Sequence, residues 1–460
     1  MKLVMSLPTH QRNQIIAGVI VLIFAGVGLA LWMCVIPGLR QCLDQDIEEP
    51  VKLEFWNVYE DSDIYLPLIQ KFTNRYPNVS IVYHKKEFET YRRDLADAFT
   101  QGKAPDIFTI QNTWLALEEK HIAPVPSSLL PFENFSAMFP DVVRFDFTKQ
   151  EKDTPPQIYA LPLYIDTLAL FYNRPYFHNE NFIAPPATWD DFVDYVQRLT
   201  KYNDAGDIDL AGAAMGTAVN INRSTDILSM LMLQTGTHMT DETRTRATFA
   251  APFTQDGRQF ESGLGAFEFY TSFASPQNEA YTWHAGMPYS IDAFLQGDAA
   301  MMFNYSYFIP TLERKNRYLD FATALVPQPK DQREKITFAN YWGFTVSKDS
   351  PKKDMAWRFI LFLMEDEVAK QYLETVQRPT SLKSLIPWQE EHASERLKPF
   401  VQQVLQARSW YMGDTVSTEK TLADAIEAAV SGDQEPREAL GNAQTEVTSI
   451  FQKVRLGVIP

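Results

Sequence analysis

The stretch VKLEFWNVYEDSDIYLPLIQKFTNRYPNVSIVYHKKEFETYRRDLADAFTQGKAPDIFTI, residues 51–110, decides the fold class. Val51 to Trp56 reads as a strand, Ile64, Leu68 and Phe72 recur at helical spacing, and Val79, Ile81 and Tyr83 alternate as a second strand. Tyr91, Leu95, Ala98 and Phe99 then share one helix face that stops at Gly102, and Pro105 leads into a third strand, Asp106 to Ile110. Strands that alternate with helices predict an α/β fold, a parallel sheet with helices on both faces.

Toward the C-terminus the helices are better signed than the strands. Thr188 and Asp191 fit a capping box ahead of Trp189 to Thr200, and Ser350 with Pro351 opens a helix that buries Met355, Phe359 and Phe362. No internal repeat or low-complexity tract interrupts the chain.

Toward the N-terminus, Ile15 to Ile36 is a run of 22 residues without a charged side chain. As a helix it spans roughly 33 Å, enough for a bilayer core of about 30 Å. Lys2 and Arg12 precede it, and Asp44, Asp46, Glu48 and Glu49 follow Arg40, so the basic excess places residues 1–14 in the cytoplasm and everything beyond the helix outside it. The run is too long for a cleavable signal, whose apolar region has about 7 to 15 residues. Gly28 and Ala30 form a weak cleavage site, and Leu31, Trp32 and Met33 before Cys34 argue against a lipid on that cysteine. An uncleaved, single-pass anchor at 15–36 with a spacer at 37–50 is the expectation.

The chain has 460 residues, 45% hydrophobic and 22% charged, too many for one ordinary compact domain, so two lobes are expected. A net charge of -16 repels phosphate backbones and disfavours nucleic acid as a partner. Both cysteines, Cys34 and Cys42, precede the folded region, which is therefore held by its core without an internal disulfide.

Several segments, in order, resemble the bacterial extracellular solute-binding proteins that serve ABC importers, of the large maltose-binding-like type. They are FWNVYEDSDIYLPLIQKFTNRYPNVSI at 55–81, GKAPDIFTI at 102–110, YALPLYIDTLALFYNRPYF at 159–177, PPATWDDFVDYVQRLT at 185–200, FLQGDAAMMFNYS at 294–306 and YWGFTVSKDSPKKDMAWRFILFL at 341–363, with AIEAAVSGDQEPREALGNAQTEV near the end. The resemblance implies a two-lobed periplasmic-binding-protein-like fold with a hinge of about three crossings. These lie near Asp166, Phe303 to Ser306 and Val346 to Ser350, with one lobe at 51–163 and 303–347 and the other at 164–302 and 348–460. It also implies an extracytoplasmic carrier that closes over a small solute, a carbohydrate above all, and hands it to importer permease subunits, with no cofactor and no catalysis.

In open sheets, ligands sit beyond the carboxyl ends of strands. Trp56, Asn57, Tyr59, Glu60 and Asp61 follow the first strand, and Gln111, Asn112 and Trp114 follow the third. Across the hinge stand Tyr164 and Asp166, and Asn304, Tyr305 and Ser306; Trp283, Trp342, Arg378 and Trp410 match ligand-lining segments of the family. Aromatic faces stack on sugar rings while carboxylates and amides bond their hydroxyls. With aromatic residues at 13% of the chain, most of these rings must be core, and Trp189, which opens a capped helix, is read as packing.

The chain contains no G-x-x-x-x-G-K-[ST], no G-x-S-x-G and no H-E-x-x-H, and its seven histidines never fall at helical ligand spacing, so neither an enzyme nor a metal site is indicated. Asn203, Asp204, Asp207 and Asp209 around Gly206 miss the calcium-loop spacing and read as a solvated turn. Two other classes stay open: a sensor subunit that reports a ligand to a membrane receptor, and an extracytoplasmic glycan hydrolase built on converging carboxylates.

Overall fold

A computed structural model describes residues 50–458 except 151, 153, 256 and 331. The expected anchor at 15–36 and most of its spacer lie outside the described residues. No helix among the described residues is long and apolar enough to cross a membrane. Contacts divide the described chain into a small unit, residues 50–53 with Ile69–Val82, and a large one, Glu54–Leu68 with 83–458. In the small unit Val51 N–H donates to the Asn78 carbonyl at 2.8 Å, and the rings of Phe72 and Tyr76 stand 4.7 Å apart.

The opening alternation folds as read: β1 (Val51–Asn57), α1 (Ser62–Arg75), β2 (Val79–Lys85), α2 (Phe88–Thr100) and β3 (Ile107–Gln111). In α2 the expected stripe is buried at Tyr91, Leu95 and Ala98, while Phe99 is half-buried and stacks on His121 at 4.1 Å. Next comes α3 (Asp141–Phe147), and then the second assembly begins with β4 (Asp166–Thr167) and β5 (Ala169–Asn173). The helix α4 (Trp189–Leu199) carries the capping box that its sequence predicts: Thr188 Oγ1 accepts from Asp191 N–H at 3.1 Å, and the Asp191 carboxylate accepts from Thr188 N–H at 3.1 Å. α5 (Ser224–Gln234) and α6 (Ser262–Ser272) pack together, followed by β6 (Met301–Asn304), β7 (Phe321–Ala324), β8 (Thr337–Asn340) and β9 (Trp342–Val346). α7 (Lys353–Leu363), α8 (Asp366–Val376), β10 (Ala407–Arg408), α9 (Thr415–Ser431) and α10 (Pro436–Arg455) complete the elements that matter here. As predicted, α7 buries Met355, Phe359 and Phe362.

Three sheets organise these elements, in the orders β9-β3-β1-β2, β6-β5-β7 and β10-β8-β4. The first is mixed rather than wholly parallel: β1 and β3 run parallel through Phe55 opposite Ile107, whereas β9 runs antiparallel to β3 through Trp342 opposite Gln111. The reason is connectivity. β9 comes directly from β8 of another sheet, with only Tyr341 between them, and needs no helical crossover to enter the sheet. Phe303, Asn304 and Phe321–Ala324, from the segment 303–347 expected to share the first lobe, pair antiparallel with β5, and of that segment Trp342–Val346 joins β3. Phe303 and Asn304, expected at a crossing, lie opposite Leu170 and Ala169, and the passage from sheet to sheet is made at Tyr341.

A large apolar core wraps the second and third sheets, running from Leu168 through Trp189, Phe192, Phe267 and Trp410 to Phe451. Around the first sheet the packing is aromatic, with Phe55 edge-on to Tyr65 at 5.2 Å, Phe344 at 5.8 Å and Phe359 at 6.0 Å. Gly343 in β9 is required by close approach. A Cβ there would stand 2.6 Å from the Phe147 ring and 2.8 Å from Ala160 Cβ, so only glycine lets α3 lie against the strand.

Candidate functional site

Where α5 begins, Arg223 sits in the left-handed region at φ 63°, an uncommon conformation for a residue with a Cβ and one that costs on the order of 1–3 kcal/mol. The turn brings its guanidinium back onto the first turn of its own helix, where Nε donates to Asp226 Oδ2 at 2.7 Å and Nη2 also meets that oxygen. The Tyr305 hydroxyl donates to the same oxygen at 2.5 Å, and Glu419 of α9 lies 3.6 Å from Arg223. Burial pushes the Glu419 carboxyl up to about 7, against the pull of Arg223 and with help from Asp226 and Asp414.

A second ion pair anchors the start of β4. Asp166 accepts from Ser306 N–H at 2.9 Å, Ser306 Oγ at 2.8 Å, Tyr307 N–H at 3.1 Å and Thr167 N–H at 3.0 Å, and Arg378 stands 3.7 Å away. Burial raises its pKa, while Arg378 and the bonds from Ser306 and Tyr307 oppose the rise. The Arg378 guanidinium lies over Tyr164 at 5.0 Å and Tyr307 at 5.6 Å, which binds the two rings to the pair.

Facing these charges is an aromatic wall from the first sheet. Trp114 meets Trp342 at 4.9 Å, Trp342 meets Tyr59 at 5.5 Å, and Tyr59 stacks on Phe88 at 6.0 Å. Ionisation of Tyr59 is pushed up by burial first and then by Tyr307, while Arg223 and Arg378 act against it, so the wall and both ion pairs share one electrostatic neighbourhood. At the rim, Arg92 of α2 meets Asp414, which caps α9, at 2.8 Å, and Thr113 bonds Thr415 at 2.6 Å.

Among the described residues, five buried side-chain polar atoms lack a hydrogen-bond partner, and three of them belong here: Trp114 Nε1, Asn304 Nδ2 and Asp226 Oδ1. Each such atom costs about 1–3 kcal/mol until something satisfies it. Two donors and one acceptor, beside stacking faces and charges already paired within the protein, suit the hydroxyls of an uncharged polyol.

Of the residues singled out in the sequence, Trp114, Tyr164, Asp166, Asn304, Tyr305, Trp342 and Arg378 come together here. Glu60 supports them from beneath, accepting from Asn57 Nδ2 at 2.8 Å and the Tyr372 hydroxyl at 3.1 Å, while Asn57 also accepts from Thr109 at 3.2 Å. Others lie elsewhere. Trp56 packs under Lys86 at 3.9 Å, Asp61 is exposed and bonds Lys85 at 2.8 Å, and Gln111 bonds Asn340 at 3.3 Å. Trp283 is buried with its Nε1 donating to Asn220 at 3.0 Å, and Trp410 is buried with its Nε1 donating to Ser229 at 3.1 Å. Asn112 donates to buried Asp146 at 3.0 Å.

Arg223, Asp226, Tyr307 and Glu419 were not legible as site residues. Asp226 looks like an ordinary first-turn acid, and only the fold brings it to Tyr305, 79 positions away.

The sequence profile of one family, described as bacterial extracellular solute-binding protein, matches residues 58–370. Among solved structures, the chain is similar to the cyclic alpha-maltosyl-1,6-maltose binding protein from Arthrobacter globiformis, with TM-score 0.71, 18% identity, and 88% of this chain and 100% of that one covered. It is similar to the sugar-binding protein MalE from Xanthomonas citri, with TM-score 0.69, 15% identity, and 88% and 98% covered. It is also similar to a solute-binding protein from Thermotoga lettingae bound with alpha-D-tagatose, with TM-score 0.66, 19% identity, and 87% and 100% covered. At these identities the likeness is one of fold, a two-lobed α/β architecture.

Proposed function

This chain belongs to the bacterial extracellular solute-binding proteins, and we propose that it captures a neutral saccharide, a sugar or oligosaccharide, between the aromatic wall at Trp114, Trp342 and Tyr59 and the paired charges at Arg223, Asp226, Asp166 and Arg378. The observation that carries the reading is the convergence of three unsatisfied buried polar atoms on a site whose charges are already paired. A ligand hydroxyl both donates and accepts, so a polyol serves Trp114 Nε1, Asn304 Nδ2 and Asp226 Oδ1 alike. The ligand contacts come from two sheets, so binding favours the arrangement in which both are within reach and shifts the population toward it.

The carrier is tethered outside the cytoplasm by residues 15–36 and delivers its solute to an ABC-type importer. This part of the reading rests on the apolar run, its flanking charges and the family. Calorimetry on the full chain with oligosaccharides, monosaccharides, polyols and peptides tests capture. Saturable heat is expected with a neutral saccharide and is expected to vanish in Asp226→Ala; no heat across the panel overturns the proposal. Co-purification with importer membrane subunits is the expected outcome for delivery, and recovery of a histidine kinase or chemoreceptor instead would replace transport with sensing.

A further inference from the structure

Side chains of adjacent residues in extended chain point to opposite faces, and here Trp342 and Tyr341 do so at the passage between sheets. Trp342 turns to the saccharide site, whereas the Tyr341 hydroxyl donates to Asp146 at 2.7 Å. On the Asp146 side lies a cavity of about 450 Å³ with a different character. Its walls include Phe145, Tyr411 and Trp410, three cations, Lys149, Arg244 and Arg455, and two acids, Glu119 and Asp146.

Charge balance on this side is unlike that on the other. Lys149 is paired with Glu119 at 2.7 Å, but among the described residues neither Arg244 nor Arg455 forms a salt bridge, in a chain whose net charge is -16. The buried acid in its wall, Asp146, lies within electrostatic reach of Arg244 but has both oxygens engaged, one by Asn112 at 3.0 Å and Tyr341, the other by Ser409. Arg244 is also held in place by construction. Its backbone is left-handed at φ 53°, inside a turn in which the Asp241 carboxylate accepts from Thr245 N–H at 2.6 Å, Arg246 N–H at 2.8 Å, Thr243 Oγ1 at 2.7 Å and Thr245 Oγ1 at 2.8 Å. That turn lays the guanidinium over Phe145 at 4.4 Å and near Tyr411 at 5.8 Å. A pre-positioned arginine that forms no salt bridge among the described residues, between two rings at the wall of a cavity, is suited to a planar anion.

We propose that this cavity is a second binding site, for a small aromatic carboxylate. The carboxylate takes Arg244 and Arg455, and the ring lies among Phe145, Tyr411 and Trp410. A volume of about 450 Å³ falls within the ordinary range of small-molecule pockets. The site uses none of the residues assigned to the saccharide, so it stands or falls separately.

Benzoate is the probe, titrated into the full chain by calorimetry, with benzamide as the neutral isostere. Saturable benzoate binding at least tenfold tighter than benzamide is expected. Arg244→Asn, which tolerates the left-handed backbone, and Arg455→Gln, on the exposed last turn of α10, are each expected to weaken benzoate at least fivefold, while Tyr59→Ala leaves it unchanged. Arg455→Gln carries the test alone if circular dichroism shows that Arg244→Asn does not fold. Three results each overturn the proposal: no saturation by benzoate at about 10 mM, a concentration that would reveal even millimolar affinity; equal binding of benzoate and benzamide; or a loss in Tyr59→Ala matching that in the arginine variants, which would place benzoate in the saccharide site.

Discussion

The two sides of the Tyr341–Trp342 passage differ in what they leave unfinished. On the Trp342 side the arginines are matched by carboxylates, Arg223 by Asp226 and Arg378 by Asp166, and the atoms that lack hydrogen-bond partners are two neutral N–H donors, Trp114 Nε1 and Asn304 Nδ2, and one oxygen of the already paired Asp226. On the Tyr341 side the polar atoms of Asp146, Asn112 and Ser409 satisfy one another, and Arg244 and Arg455 form no salt bridge among the described residues. The first pattern suits the proposed neutral saccharide; the second suits the proposed anion. The two patterns lie on either side of the passage because adjacent side chains of extended chain, Tyr341 and Trp342, point to opposite faces.

Removing the keystone of the first side should have the largest effect. Asp166→Ala strips Ser306, Tyr307 and Arg378 of their shared acceptor and leaves a buried guanidinium unpaired, so urea unfolding is expected to show a loss of about 3–5 kcal/mol. A loss below about 1 kcal/mol would show that Arg378 is compensated elsewhere.

The second side makes its own demand through pH. Burial pushes the Asp146 carboxyl up to about 6 from its ordinary value near 3.8, although the bonds from Ser409, Tyr341 and Asn112 pull it down. The folded state therefore holds a proton that the unfolded state releases between about pH 4 and pH 6, and stability falls as pH rises through that window before levelling above it. A shift of about two units corresponds to roughly 3 kcal/mol. Asp146→Asn has no such titration, so the stability difference between wild type and variant should decline by about that amount from pH 4 to pH 7. A flat difference would mean that the carboxyl titrates normally.

Tyr59→Ala separates ligand binding from folding, because the ring is 43% exposed yet faces Trp342 and the paired arginines. Saccharide affinity is expected to fall about tenfold, near 1.4 kcal/mol, with a stability change below that. Equal losses in both would make the residue a packing element. The smallest effect belongs to Asp61→Ala, which removes an exposed ion pair with Lys85 and should stay within about 0.5 kcal/mol for stability and leave saccharide affinity unchanged.

The contrast between the two sides also explains which residues sequence reasoning could reach. Trp114, Tyr164, Asp166 and Trp342 stand beside strand ends or the passages between sheets, where chain order alone brings them to the candidate site. Asp61 and Trp56 have the same local signature, yet one bonds Lys85 and the other lies under Lys86, because position after a strand does not fix the direction of a side chain. Trp283 is turned into the core, where its indole N–H bonds Asn220, and Trp410 bonds Ser229 and lines the cavity on the Tyr341 side.

What the sequence determined by itself is local or cumulative. Apolar period and capping chemistry placed β1 through β3, the box at Thr188 and the buried face of α7, because each depends on neighbours within a few residues. Ordered segments pointed to the family. Only the tertiary structure decided that β9 would run antiparallel beside β3, that Asp226 would meet Tyr305 across 79 positions, and that Arg244 would stand at a cavity wall between Phe145 and Tyr411. These depend on distant segments meeting in three dimensions, where burial and pairing settle the worth of a charge, and no local pattern records that outcome.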